Sequence, residues 1–229
     1  MTLTRFIWNP HKLKSMSAKP IEPGPDCNLC PRLVEYRHAN REAYSGWHNA
    51  PVPSFGALDA ELLIVGLAPG LKGANQTGRP FTGDYAGDLL YATLLKFGFA
   101  EGAYGLHAGD GLELKNCRIT NAVKCVPPQN KPVGAEVNAC RDFLIDEINA
   151  MPNLKILLAL GGLSHGAILS TLGERKSAYK FGHNSHHLLS SGLNLVNSYH
   201  CSRYNTNTGR LSAEMFEAVF ASVRERLID

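Results

Sequence analysis

Four short, largely apolar stretches recur along the chain: Leu62 to Val65, Arg118 to Val123, Leu154 to Leu160 and Leu193 to Tyr199. The first has no alternation with polar residues, which is the pattern of a strand buried on both faces, and the other three read as further strands. Helical spacing of apolar positions falls between them. It runs from Tyr85 to Phe97, from Ala135 to Ala150 and from Leu163 to Leu172. It also closes the chain, where Ser212 caps a stripe of Phe216, Phe220, Val223 and Leu227. A shorter helix is expected from Arg32 to Arg41. Strands alternating with helices predict an α/β fold whose mainly parallel sheet is covered on both faces. Lys176 to His187 holds three histidines and has no clear period.

The stretch Gly66–Asp84 follows the first strand and carries Gly66, Pro69, Gly70, Gly73 and Gly78, too many glycines for a helix interior. Strand, glycine loop and helix is how α/β proteins hold a ligand at a strand's carboxyl end. Neither G-x-G-x-x-G nor G-K-[ST] is present, so the loop is not a standard phosphate cradle. Two further polar loops, Asn121–Lys131 and His200–Arg210, also follow strands directly. In a parallel sheet all three emerge at one edge, where their residues can form one pocket.

Residues 1–25 carry Pro10, Pro20, Pro23 and Pro25 and are expected to be a loosely ordered arm, with residues 26–229 as a single domain. The 229 residues suffice for a substantial core, and the formal charge of +3 permits nucleic-acid binding without arguing for it. No run approaches the length of a membrane span. The amino terminus lacks an apolar core with a cleavage site, so a cytosolic, thiol-reducing setting is expected.

Six cysteines in such a setting need a reading other than disulfides. Cys27-x-x-Cys30 can grip a metal, and Cys125 and Cys140 offer a second pair. Four thiolates suit a tetrahedral zinc or a four-iron cluster equally well, and ordinary buried cysteines are the plain alternative. Cys117 and Cys201 read best as core residues. His200 could donate to an oxygen that becomes negative, or be a satisfied structural histidine. Asp84 could simply cap a helix, orient a water or offset positive charge. Phe81 could pack or stack on a flat ring, and Asn121 could brace backbone or read an amide-like edge.

Two segments resemble the motifs of family 5 (type B) uracil-DNA glycosylases, the prokaryotic iron–sulfur branch of that superfamily. The first is Gly66-Leu67-Ala68-Pro69-Gly70 with Gly73 to Asp84. The second is His200-x-Ser202-x-x-Asn205-x-x-Thr208-Gly209-Arg210-Leu211. Cys27-x-x-Cys30-Pro31-Arg32-Leu33 and Asn121-Ala122-Val123-Lys124-Cys125-x-Pro127-Pro128 resemble cluster-bearing segments shared with family 4.

The resemblance implies a three-layer α/β/α fold with a four-stranded mainly parallel sheet. It also implies a [4Fe-4S] cluster on Cys27, Cys30, Cys125 and Cys140. The activity it implies is a monofunctional DNA repair enzyme that flips uracil out of DNA, with hypoxanthine and xanthine as further substrates, and hydrolyses the N-glycosidic bond. Asp84 and His200 would be catalytic, with Asp84 ionised at neutral pH if exposed. Gly66, Ala68, Phe81, Asn121, Ser202, Asn205 and Arg210 would bind substrate, Arg203 and Thr208 would meet the DNA backbone, and Leu67-Ala68-Pro69-Gly70 lacks the polar catalytic residue of other families. The partner would be DNA containing uracil or other deaminated bases, met by a nucleoid-associated monomer without a membrane partner. Cys201 stands where many superfamily members have Pro, which predicts a more flexible loop. The competing expectations are a non-catalytic iron–sulfur or zinc protein of the same fold that binds nucleic acid.

Overall fold

The computed structural model describes residues 19–228. Most of the expected amino-terminal arm, residues 1–18, lies outside the described residues, and 19–24 form no regular element. The elements that build the sheet are β1 (Leu62–Gly66), β4 (Cys117–Asn121), β5 (Ile156–Leu160), β6 (His186–Leu188) and β7 (Asn194–Ser198), while β2 (Ala100–Glu101) and β3 (Glu113–Leu114) form a separate antiparallel pair. The helices are α1 (Pro31–Ala43), α2 (Ala74–Thr77), α3 (Tyr85–Lys96), α4 (Gly134–Ala139), α5 (Arg141–Asn149), α6 (Gly162–Thr171), α7 (Arg203–Asn207) and α8 (Ala213–Ile228).

The sheet runs β4-β1-β5-β7-β6. The four strands expected from the apolar stretches are mutually parallel, and β6 adds a fifth, antiparallel strand at the edge beyond them. Its sequence, His-His-Leu, is too short and too polar to show a strand period. Every residue of β1, β4 and β5 is buried. Alternate side chains go to opposite faces, as pleating requires. Leu62, Ile64, Ile156, Leu158 and Val196 pack against α3 and α8 through Leu90, Leu94, Phe216 and Phe220. Leu63, Val65, Leu157, Ala159 and Leu195 pack against α5 and α6 through Leu144, Ile148 and Ile168. Each such side chain contributes roughly 1.5–3 kcal/mol by leaving water. The result is three layers, helices–sheet–helices.

Register sets the working edge. Gly66 pairs with Asn121 and Leu160 with Ser198, so the carboxyl ends of four neighbouring strands finish at one level. Two loops and one helix differ from their sequence expectation. The glycine loop contains the single turn α2, the loop after β7 contains α7, and the helix expected over Ala135–Ala150 breaks at Cys140, which ends α4 and begins α5. The break directs the Cys140 sulfur back to the amide of Lys124, 3.4 Å away.

A buried charge network ties α5 to the β4 edge. Glu147 accepts from Arg118 Nε at 2.7 Å, from Thr120 Oγ1 at 2.7 Å and from Lys124 Nζ at 3.0 Å. Burial pushes the Glu147 carboxyl up, but the Lys124 and Arg118 charges outweigh that and leave it lowered.

Candidate active site

A cavity of about 550 Å³ opens at the carboxyl edge of the sheet. Ala68, Phe81, Asp84, Asn121, His200, Ser202, Asn205 and Arg210 all line it, drawn from the loops after β1, β4 and β7. Gly66 does not line it. It lies beneath, where a Cβ would stand 2.3 Å from Asn121 Oδ1 and 2.6 Å from Phe81 Cζ. Only glycine lets the end of β1 pass under both groups. Thr208 is outside the lining, and its hydroxyl donates to the Tyr204 carbonyl at 2.8 Å.

Phe81 adopts φ 53°, a left-handed conformation that costs an aromatic residue about 1–2 kcal/mol. Its ring is buried, with its centroid 6.1 Å from that of His200 and the planes inclined by 32°. Asp84 caps α3, its Oδ1 accepting from the Gly87 amide at 3.1 Å. Its other oxygen faces Gly70 and Gly73, where added Cβ atoms would come within 3.0 and 2.5 Å of it. Burial pushes the Asp84 carboxyl up, opposed by the Gly87 bond and by His200. Asp84 is therefore half-buried rather than exposed, and the exposure on which its ionisation was conditional is not met. Burial likewise pushes His200 down from 6.5, against the attraction of Asp84. The two shifts run in opposite senses, and burial favours the uncharged form of each group.

Asn121 ends β4, is 4 % exposed and leaves Oδ1 without a hydrogen-bond partner among the described residues. A buried acceptor left unmade costs about 1–3 kcal/mol, so this oxygen carries a standing penalty in the ligand-free fold. Beyond β7, Ser202 caps α7 and Asn205 Nδ2 donates to the His200 carbonyl at 2.8 Å, which fixes that loop. The buried Cys201 donates its S–H to the Ala86 carbonyl of α3 at 3.4 Å. This contact ties the histidine loop to the helix that Asp84 caps, where the sequence predicts looseness. At the rim, Arg203 stands 5.2 Å from the Tyr85 ring and Arg210 4.6 Å from the Tyr199 ring. Tyr199, Phe181, Asn130 and Leu163 also line the cavity. Sequence reasoning missed them. Tyr199 and Asn130 lie at the ends of recognisable segments, but Phe181 comes from a stretch with no period to mark it.

A second, small cavity is lined by all four cysteines of the two pairs, Cys27, Cys30, Cys125 and Cys140, together with Leu33 and Arg37. Pro31 starts α1 directly after Cys30, and Arg37 on that helix sends Nη1 toward Cys125 Sγ at 3.9 Å and Nη2 to the Cys27 carbonyl at 2.9 Å. Burial pushes the Cys30 thiol up to about 11 and the Cys125 thiol up to about 12. A bound cation would reverse both. Among the described residues no group of three or more His, Cys, Asp or Glu side chains is already arranged to hold a metal ion. The donor chemistry of this pocket nonetheless fits a thiolate-bound group. Cys117 and Cys201 lie apart from it, each buried and bonded to a carbonyl.

Sheet order, cavity and motif placement thus define an α/β protein with a pocket at the strand ends. The uracil DNA glycosylase superfamily model matches residues 53–224, and the chain belongs to that superfamily. Within it the similarity is to type-5 uracil-DNA glycosylases. The enzyme of Thermus thermophilus is 43 % identical over 203 residues, covering 86 % of this chain and 92 % of its own. That of Pyrobaculum aerophilum is 39 % identical over 199 residues, covering 85 % and 86 %. A type-4 uracil-DNA glycosylase of Pyrobaculum aerophilum is 36 % identical over a shorter 151 residues, 66 % of this chain and 63 % of its own. No helix among the described residues is long and apolar enough to cross a membrane.

Proposed function

We propose that the chain is a uracil-DNA glycosylase that takes uracil out of the DNA stack and hydrolyses its N-glycosidic bond, initiating base-excision repair. The observation that carries this reading is the meeting of Phe81, Asp84, Asn121 and His200 in one cavity of a chain from this superfamily. A base inside a duplex is out of reach, so the nucleotide must swing into a pocket. There Phe81 stacks on its face, and Asn121 Oδ1 accepts from the N3–H of uracil. Bond cleavage leaves a cationic deoxyribose and an anionic base. His200, neutral because burial lowers it, donates to the base oxygen as negative charge gathers there. Asp84, held by the Gly87 amide, offsets the sugar cation and orients the water that attacks C1′.

Hypoxanthine and xanthine belong to the same proposal. The wall formed by Leu67, Ala68 and Pro69 is apolar, and apolar walls discriminate weakly among flat bases. The cysteine pocket fits a [4Fe-4S] cluster on Cys27, Cys30, Cys125 and Cys140, with the Arg37 guanidinium and the Lys124 amide beside two of the sulfurs. When bound, the cluster cross-links α1, the loop after β4 and the α4–α5 break. Iron analysis and visible absorbance after anaerobic purification test it, and stoichiometric zinc would refute it.

Single-turnover excision from a uracil-containing duplex tests the activity, with parallel hypoxanthine and xanthine duplexes. Strand breaks after alkali are expected, at rates reduced on the order of 10²–10³-fold in Asp84→Asn and His200→Ala. Strands left intact by the wild-type protein would refute the assignment.

A further inference from the structure

Behind the cavity lies a buried charge pair that reaches no ligand-facing surface. Arg79 is 4 % exposed and grips Asp110 with both terminal nitrogens, at 2.7 and 2.6 Å. Its Nε donates to Thr82 Oγ1 at 2.8 Å. Its guanidinium carbon stands 5.1, 5.2 and 5.8 Å from the ring centres of Phe55, Tyr91 and Tyr104. Neither Arg79, Asp110 nor Tyr104 lines the cavity.

The partners of this pair bracket Phe81. The Tyr91 hydroxyl donates to the Pro80 carbonyl at 2.7 Å. The Tyr104 hydroxyl donates to the Phe81 carbonyl at 3.3 Å and accepts from the Gly83 amide at 3.1 Å. Both rings pack on the Arg79 cation. Phe81 itself sits at φ 53°, a conformation that persists only where the surroundings over-determine it. A buried ion pair is a poor source of net stability, and its best use is to fix one geometry among several. A bidentate guanidinium fork serves that purpose better than a point charge would.

We propose that Arg79, anchored by Asp110 and boxed by three aromatic rings, is a positioning residue that sets the depth and tilt of the Phe81 ring. The inference rests on the reading of Phe81 as the platform for the base. It differs from a general structural role in one measurable way: losses at Arg79 pass through Phe81 and vanish once Phe81 is gone.

A double-mutant cycle tests this. Single-turnover rates on a uracil duplex are measured for Arg79→Met, Phe81→Ala and the double variant, with affinity for undamaged duplex as a control. Arg79→Met is expected to slow excision on the order of 10²-fold, the scale of a displaced binding surface. Undamaged-duplex affinity stays unchanged, and adding the substitution to Phe81→Ala lowers the rate little further. Losses that multiply, or an Arg79→Met enzyme of wild-type rate, would overturn this inference alone. A Phe81→Ala enzyme of unaltered rate would remove the platform reading and this inference with it. Should Arg79→Met lose its native near-ultraviolet dichroism, Tyr104→Phe, which deletes one hydroxyl, takes its place in the cycle: a loss that disappears in the Phe81→Ala background supports the inference, and one that multiplies overturns it.

Discussion

At the scale of single residues, two titrations shape the expected pH dependence. Asp84 is raised above 3.8 by burial and His200 is lowered below 6.5 by burial, so both required forms, carboxylate and neutral imidazole, are gained as pH rises. Single-turnover rates from about pH 5 to about pH 9 should therefore fall only on the acid side and stay flat above neutrality. A basic limb in that range would contradict the assignment of His200 as a neutral donor. Gly66 gives a second prediction. A methyl group there meets Asn121 Oδ1 at 2.3 Å and the Phe81 ring at 2.6 Å, so Gly66→Ala should cost on the order of 10²-fold in excision while the protein stays folded. That Asp84, His200, Phe81 and Asn121 would meet at one sheet edge was legible because each ends a strand or lies in the polar loop after one. The burial of Asp84 was not. It depends on Gly70 and Gly73 closing over a carboxylate, which no spacing reveals.

At the scale of elements, β4 and α5 depend on Glu147. Replacing it with Gln leaves Lys124 buried without a counter-charge and Arg118 with only its 3.7 Å contact to Glu22, which should destabilise the fold by about 3–5 kcal/mol in urea denaturation. Because its carboxyl is lowered below 4.5 in the folded state, its stabilisation is present above that value and is lost as pH falls through the folded pKa. The urea midpoint of the wild type should accordingly drop on acidification more steeply than that of Glu147→Gln. Sequence periodicity identified the four parallel strands and the α8 stripe. It joined α4 to α5, because Val137, Cys140, Leu144 and Ile148 keep helical spacing across the break. Only the Lys124 amide, reached through the fold, shows why the chain turns there.

At the scale of the molecule, the small net charge of +3 is less telling than the placement of two arginines. Arg203 and Arg210 are exposed at the cavity rim and braced on Tyr85 and Tyr199, and the proposed function would set them beside the phosphates of an extruded nucleotide. Duplex affinity should fall linearly in log–log plots against salt, and Arg210→Gln should reduce that slope by about 1. An unchanged slope would detach Arg210 from the DNA. Set against a whole genome, the lone pair that Asn121 keeps unmatched carries a further consequence. Thymine's methyl and cytosine's ring nitrogen are what repair must leave alone. Were Asn121 the reader proposed above, cytosine would bring an acceptor to an acceptor, and an intact base would be turned away by repulsion rather than by lack of room.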